Sequence, residues 1–232
     1  MQAANRDKLI VALDFPAYDD ARHLVDTLGD TVSFYKVGLE LLFHDGLALA
    51  SELKNDGKRV FLDMKFLDIA NTVEKAVAAV AGLGFDFLTI HGTDTKTMAA
   101  AVKGRGNAPL KLLAVTVLTS LDQTDLADQG IAMTPQDLVL KRARLALDAG
   151  IDGVIASGQE AAAIRAATAP NFLIVTPGIR MPGGEAGDQK RITTPDEALR
   201  AGANHIVVGR PITAASNPKS AAESVLQRIA LA

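Results

Sequence analysis

An α/β fold, a single-domain (β/α)8 TIM barrel, is predicted by three observations: eight short apolar runs, helical segments between them, and a recurring junction that joins helix to strand. The apolar runs show no polar alternation, as expected of parallel strands covered on both faces. The junction reads AVAGLGFDFLTIHG, LALDAGIDGVIASG and ALRAGANHIVVGR: helix end, Gly, a polar residue, then a strand. The Gly suits a helix C-terminus, where the chain commonly turns through left-handed backbone.

In order, the predicted strands are LIVAL (9–13), SFYKV (33–37), RVFLD (59–63), FLTI (87–90), LLAVTV (112–117), GVIA (153–156), FLIVT (172–176) and HIVVG (205–209). Between them, ARHLVDTLGD, LALASELKNDG, NTVEKAVAAVAGLG and DLVLKRARLALDAG carry apolar residues at helical spacing. Thr134-Pro135 opens one helix, with Thr as N-cap and Pro in the first turn. Eight βα units in a chain of this size match a closed barrel. An open doubly wound sheet usually has fewer strands and a Gly-rich first turn, whereas LDFPAYDDA has no glycine. No linker divides the chain, so residues 1–232 are read as one domain. The Gly/Pro-rich stretch 180–194, RMPGGEAGDQKRITT, is long for a connection and is read as a mobile lid.

Composition narrows the function. The 48% hydrophobic and 22% charged content is that of a globular protein with a sizeable core. There is no Cys, which removes disulfides, thiolate metal sites and a Cys nucleophile. A net charge of −3 argues against nucleic acid or a membrane surface as partner. No apolar run approaches the roughly 20 residues of a membrane helix, and MQAANRDKLIVALD does not read as a signal peptide. A cytoplasmic location is expected.

Barrels of this kind build their sites at the C-terminal strand ends. The residues closing each run are therefore the candidates: Asp14 on strand one, Lys36 on strand two, Asp63 and Lys65 then Asp68 on strand three, His91 on strand four, and Thr119-Ser120 on strand five. TPGIR, with Pro177, Gly178 and Arg180, follows strand seven, and Gly209-Arg210 follows strand eight. The turns after strands seven and eight are the usual phosphate site of the fold, and Arg offers phosphate oxygens a planar charged fork. Read singly, each is equally a tight turn with a solvated arginine. Positions 63 and 65 alternate on a strand and so point to one side. Lys36, Asp63, Lys65 and Asp68 then form an ion network that pairing would make tolerable when buried; a surface ion-pair cluster is the structural alternative. Asp14 is also a candidate helix-start residue before Pro16, and His91 is as well explained by a structural role. The histidines at 23, 44, 91 and 205 show no ligand spacing, and no metal is expected, Asp14, Asp63 and His91 being the nearest approach to a ligand set.

ALD (12–14), YKVGLEL (35–41), FLDMKFLDIANTV (61–73), TIHG (89–92), AVTVLTS (114–120), TPGIR (176–180), DQKRITTP (188–195) and VVGRPI (207–212) together resemble the orotidine 5′-phosphate decarboxylase family in its bacterial form, over nearly the whole chain. The resemblance implies cofactor-independent decarboxylation of orotidine 5′-monophosphate to UMP in pyrimidine biosynthesis. It also implies a homodimer with shared active sites. Lys36, Asp63 and Lys65 would join Asp68 of the partner subunit in a charged array, with Lys65 protonating C6 of the pyrimidine. Asp14 and Lys36 would bind the ribose, near Thr72 of the partner subunit. Thr119 and Ser120 would meet the pyrimidine edge, with His91 and Pro177 among the substrate-binding residues. Arg180, Gln189, Gly209 and Arg210 would hold the phosphate.

Two other readings stay open on the residues. Sugar-phosphate relatives, such as keto-gulonate-phosphate decarboxylase and hexulose-phosphate synthase, share a D-x-K-x-x-D strand but use Mg²⁺ held by a Glu at the strand-two end, where this chain has Lys36. A non-catalytic phosphate-binding barrel would keep Arg210 but has no need of all four charges.

Overall fold

The structure is a computed structural model that describes residues 3–184, 187 and 190–232. All eight expected strands form: β1 Leu9–Ala12, β2 Phe34–Gly38, β3 Arg59–Phe66, β4 Phe87–His91, β5 Lys111–Val115, β6 Gly153–Ile155, β7 Leu173–Thr176 and β8 His205–Val208. They are parallel and close in sequence order, with β8 pairing back onto β1. The main intervening helices are Tyr18–Leu28, Leu47–Asn55, Ala70–Ala81, Thr95–Arg105, Pro135–Asp148, Gly158–Ala167, Pro195–Arg200 and Pro218–Ile229. The expected (β/α)8 barrel is the observed fold. Thr134 caps its helix as read, its Oγ1 accepting from the Asp137 N–H at 3.1 Å with Pro135 in the first turn. No helix among the described residues is long and apolar enough to cross a membrane.

Strand alternation divides the apolar residues into two cores. Leu9, Val11, Tyr35, Val37, Leu62 and Leu88 face outward, into the layer between barrel and helices. Ile10, Ala12, Phe34, Phe61, Phe87, Leu113, Val175 and Val207 fill the barrel itself. Counting two residues on from this inner set, toward the strand ends, gives Asp14, Lys36, Asp63 and Thr89. The apolar pattern of the core thus sets which polar side chains reach the C-terminal mouth.

The repeated junction has a physical cause. Gly84, Gly150 and Gly202 all adopt positive φ, at 73°, 80° and 105°. Each turns the chain so that the following polar residue reaches the strand before it. Asp86 Oδ2 accepts from the Val60 N–H at 2.9 Å, Asp152 Oδ2 from Leu112 N–H at 3.0 Å, and Asn204 Oδ1 from Ile174 N–H at 2.8 Å. One device therefore satisfies the starts of β3, β5 and β7, whose N–H groups would otherwise lack partners.

The N-terminal mouth is closed by aromatic rings. Phe34 and Phe87 meet edge to face at 5.0 Å, and His205 stacks edge-on against both, at 5.9 and 5.3 Å. The Arg59 guanidinium lies 4.1 Å from the Phe34 ring centre, within cation–π range. Its charge is met by Asp86, which also binds Lys54 at 2.8 Å. Burial pushes the His205 imidazole down to about 4, and its Nδ1 sits 2.8 Å from the Asp7 carbonyl oxygen.

Candidate active site

At the opposite mouth the strand ends surround a cavity of about 520 Å³, lined by Asp14, Lys36, Asp63, Lys65, Pro177, Arg180, Gly209 and Arg210 among others. A second cavity of about 200 Å³ shares Lys36, Asp63, Lys65 and Pro177 with it and continues to Thr119 and Ser120. One end of the combined space carries two arginines, the middle carries the Lys–Asp cluster, and the far end carries two hydroxyls.

Lys36 lies between two carboxylates, its Nζ 2.8 Å from Asp14 Oδ1 and 3.4 Å from Asp63 Oδ2. Its side chain is only 10% exposed, so the pairing is what keeps a charge there. Burial alone would pull the Lys36 ammonium down, but the charges of Asp63 and Asp14 outweigh burial and hold it above its ordinary value. Gly38 makes room for this contact: a Cβ there would sit 2.9 Å from Lys36 Nζ and 3.2 Å from Asp14 Oδ1.

Asp63 is the hub. Its Oδ1 accepts from Lys65 Nζ and from Thr89 Oγ1, both at 2.8 Å, while Oδ2 faces Lys36. Burial pushes its carboxyl up, yet the Lys36 and Lys65 charges, with the Lys65 and Thr89 hydrogen bonds, hold it below the usual carboxylate range. A carboxylate flanked by two ammonium groups stays ionised and acceptor-only.

Lys65 reaches the mouth by a route that regular strand alternation does not describe. β3 and β4 pair at Leu62↔Leu88 and next at Phe66↔Ile90, so Asp63, Met64 and Lys65 face the single residue Thr89. Inside this bulge Lys65 takes a φ of +50°, a left-handed conformation uncommon for a residue with a side chain. Asp63 and Lys65 do share one side, as expected, but through a bulge that re-aims Lys65.

The remaining candidates divide. Thr119 is buried, and with Ser120 it lines the second cavity. Arg180 donates to the Ile179 carbonyl at 2.9 Å and lines the first cavity with Arg210. His91 closes β4 half-buried and lines neither cavity; burial, then the nearby Lys65 and Arg142 cations, lower its tendency to protonate. Asp68 and Thr72 are exposed and line neither cavity, so this chain's own cavities do not gather them. Asp68 Oδ1 instead accepts from the next backbone N–H, that of Ile69, at 2.6 Å. Gln189 lies outside the described residues, as does part of the 180–194 segment.

A profile of the family described as Orotidine 5′-phosphate decarboxylase / HUMPS matches residues 7–225. The chain belongs to this family. Within it, an orotidine 5′-phosphate decarboxylase from Rhodopseudomonas palustris is 52% identical over 229 residues, covering 99% of this chain and 97% of the relative. One from Nitrobacter winogradskyi is 55% identical over 225 residues, 97% of this chain and 93% of that one. Among solved structures, orotidine 5′-phosphate decarboxylase from Lactobacillus acidophilus superposes with a TM-score of 0.83 at 37% identity, covering 95% of this chain and 98% of that chain. The resemblance carried by the strand-end motifs is therefore one of family and fold.

Two features of this decarboxylase-family site were not read from the sequence. The first is Thr89, fully buried beside Asp63 and two residues before His91 in TIHG. Its parity with the inward Phe87 was the available signal. The second is the anchor of the loop after β7. Arg191 is buried, pairs with Glu160 at 2.6 Å, and donates to the Val117 and Leu118 carbonyls, each at 3.0 Å. It ties that loop to the segment leading to Thr119; the partners lie 31 and 74 positions away, beyond any local pattern.

The donor set bears on the Mg²⁺-dependent sugar-phosphate reading. Among the described residues no group of three or more His, Asp or Glu is arranged to hold a metal ion. At the strand-two end, the Lys36 ammonium already lies between Asp14 and Asp63, the two carboxylates a cation there would need.

Proposed function

We propose that this protein is a carboxy-lyase that converts orotidine 5′-monophosphate to UMP in pyrimidine biosynthesis, with its own charged residues doing the chemistry. The observation that carries the reading is Asp63, an ionised carboxylate held between Lys36 and Lys65 in a cavity that has Arg180 and Arg210 at one end. The family's named relatives support it. The reading retains the cytoplasmic location expected from the sequence.

The layout suits a nucleotide whose reacting carbon is far from its phosphate. Phosphate would lie at Arg180, Gly209 and Arg210, ribose at Asp14 and Lys36, and the pyrimidine edge toward Thr119 and Ser120. The substrate carboxylate would then face Asp63. Two carboxylates about 3 Å apart repel by roughly 5 kcal/mol at an effective dielectric near 20. That repulsion ends when the C6–carboxylate bond breaks and neutral CO₂ leaves. The electron pair stays on C6, the Lys65 ammonium stabilises it, and the Lys65 proton moves to C6. Lys65 afterward regains a proton from water. Phosphate contacts far from the bond that breaks can stabilise the transition state by closing the site around the substrate, and we take the segment 180–194 to be the cover.

The same reading gives Asp68 and Thr72 a place. Both lie exposed beside Leu67 and Ile69, which are 54% and 73% exposed, and Phe43, in the helical turn after β2, is 81% exposed. Apolar side chains this open beside a catalytic mouth fit a second copy of the chain, with Asp68 of the partner subunit completing the array. A sedimentation mass of one chain at micromolar concentration would contradict that arrangement.

The reaction is tested by following the ultraviolet absorbance of orotidine 5′-monophosphate with EDTA present. Conversion to UMP at the same rate with and without EDTA is expected. A strict Mg²⁺ requirement would return the assignment to the sugar-phosphate branch.

A further inference from the structure

Thr89 has no role in the chemistry just described, yet both of its hydrogen-bonding functions are spent on the two residues that have one. It lies on β4, fully buried, as the single residue opposite the β3 bulge. The bulge removes a regular ladder partner from the Lys65 N–H, and the Thr89 hydroxyl replaces it, accepting that N–H at 3.0 Å. A hydroxyl has one proton to give. With an oxygen lone pair taken by Lys65, that proton is directed to Asp63 Oδ1, at 2.8 Å. Lys65 Nζ donates to the same carboxylate oxygen, also at 2.8 Å. The result is a closed ring: Lys65 N–H to Thr89 Oγ1, Thr89 O–H to Asp63 Oδ1, and Lys65 Nζ–H back to Asp63 Oδ1.

We propose that Thr89 is a positioning residue for the decarboxylation: its hydroxyl holds the Asp63–Lys65 bulge in the one conformation that aims the Asp63 carboxylate and the Lys65 ammonium together at the substrate's reacting carbon. The inference rests on the reaction assigned above. Two facts favour a role in the site over one in general stability. The backbone Thr89 restrains is left-handed at a lysine, a conformation that residues with a side chain disfavour and that relaxes unless something holds it. And the hydroxyl hydrogen-bonds to nothing outside the ring in the structure as described, so the bulge is what it organises.

The test compares Thr89→Val, which keeps the shape and removes the hydroxyl, with Thr89→Ser, which keeps the hydroxyl and removes a methyl. Thr89→Val is expected to lower kcat at least 30-fold while UMP affinity by calorimetry stays within threefold of wild type, and Thr89→Ser is expected to recover kcat to within about fivefold. Amide exchange at Lys65 is read on the same proteins without substrate. It should be slow in wild type and Thr89→Ser and at least tenfold faster in Thr89→Val. A folded Thr89→Val with kcat within threefold of an active wild type would overturn the proposal. An inactive wild type showing this exchange pattern would sink the assigned reaction instead. Should Thr89→Val fail to fold, Thr89→Ala meets the same thresholds. If both fail while Thr89→Ser folds, the hydroxyl serves the fold and the proposal falls.

Discussion

The two mouths of this barrel solve opposite problems with the same strands. At the N-terminal mouth Phe34, Phe87 and His205 pack ring to ring, and the nearby cations Arg59 and Lys54 are met by Asp86. At the C-terminal mouth, two residues further along the same inward faces, Phe34 gives way to Lys36 and Phe87 to Thr89. There the charges face an open cavity of about 520 Å³ rather than a ring. One end is closed by packed rings, and the other holds its charges around the cavity to which we assign the reaction. Charges confined to a cavity carry a desolvation cost that the closed end helps the fold sustain.

Breaking the closed end should therefore cost stability and spare the chemistry. Phe34→Ala removes a fully buried ring that contacts Phe87, His205 and Arg59. Chemical denaturation should report a loss of about 3–5 kcal/mol, with kcat of the folded enzyme nearly unchanged. A matching fall in kcat would mean that the two ends are coupled.

Trimming the open end should do the reverse. Arg210→Ala removes a cavity-lining cation assigned to the phosphate. Steady-state kinetics should show KM raised by about 10- to 100-fold, with a smaller change in kcat and an unaltered melting temperature, because that contact exists before the chemical step. A change in kcat alone would place Arg210 elsewhere in the mechanism.

The smallest effect concerns pH. His205 titrates near 4 when folded, against 6.5 for an unperturbed imidazole, so the unfolded chain binds its proton first as pH falls. The stability it contributes is complete above about 6.5 and is lost progressively down to about 4. His205→Gln should show a shallower fall in melting temperature between pH 7 and pH 4.5 than wild type. An equal slope in both proteins would remove His205 from the closed end's account.

The barrel and the polar residues of its C-terminal mouth were largely legible in the sequence, whereas the ring cluster of Phe34, Phe87 and His205 at the other mouth was not, because its members come from three separate strands. Unbroken apolar runs marked the strands, and the Gly–polar junction marked three strand starts, though not that Asp86, Asp152 and Asn204 each bond the preceding strand. Lys36 and Asp63 were readable as inward because regular alternation from Phe34 and Phe61 carries them there. Lys65 shares a side with Asp63, as alternation predicts, but a bulge rather than alternation puts it there. Nothing in DMK announces a bulge, since lysine has no preference for left-handed backbone and the restraint comes from Thr89, 24 positions away. Arg191 with Glu160 escaped for the same cause: a pair 31 residues apart leaves no periodic trace. Asp68 and Thr72 belong to a third kind, since their assigned partner is another copy of the chain.

In the mechanism we propose, Lys65, aimed by its bulge, delivers the proton. The most direct measurement is Lys65→Ala, with turnover of orotidine 5′-monophosphate and binding of UMP measured on the same sample. Turnover should fall by about 10⁴-fold or more while UMP still binds, since the phosphate and ribose contacts remain. Near-normal turnover in that variant would contradict the account.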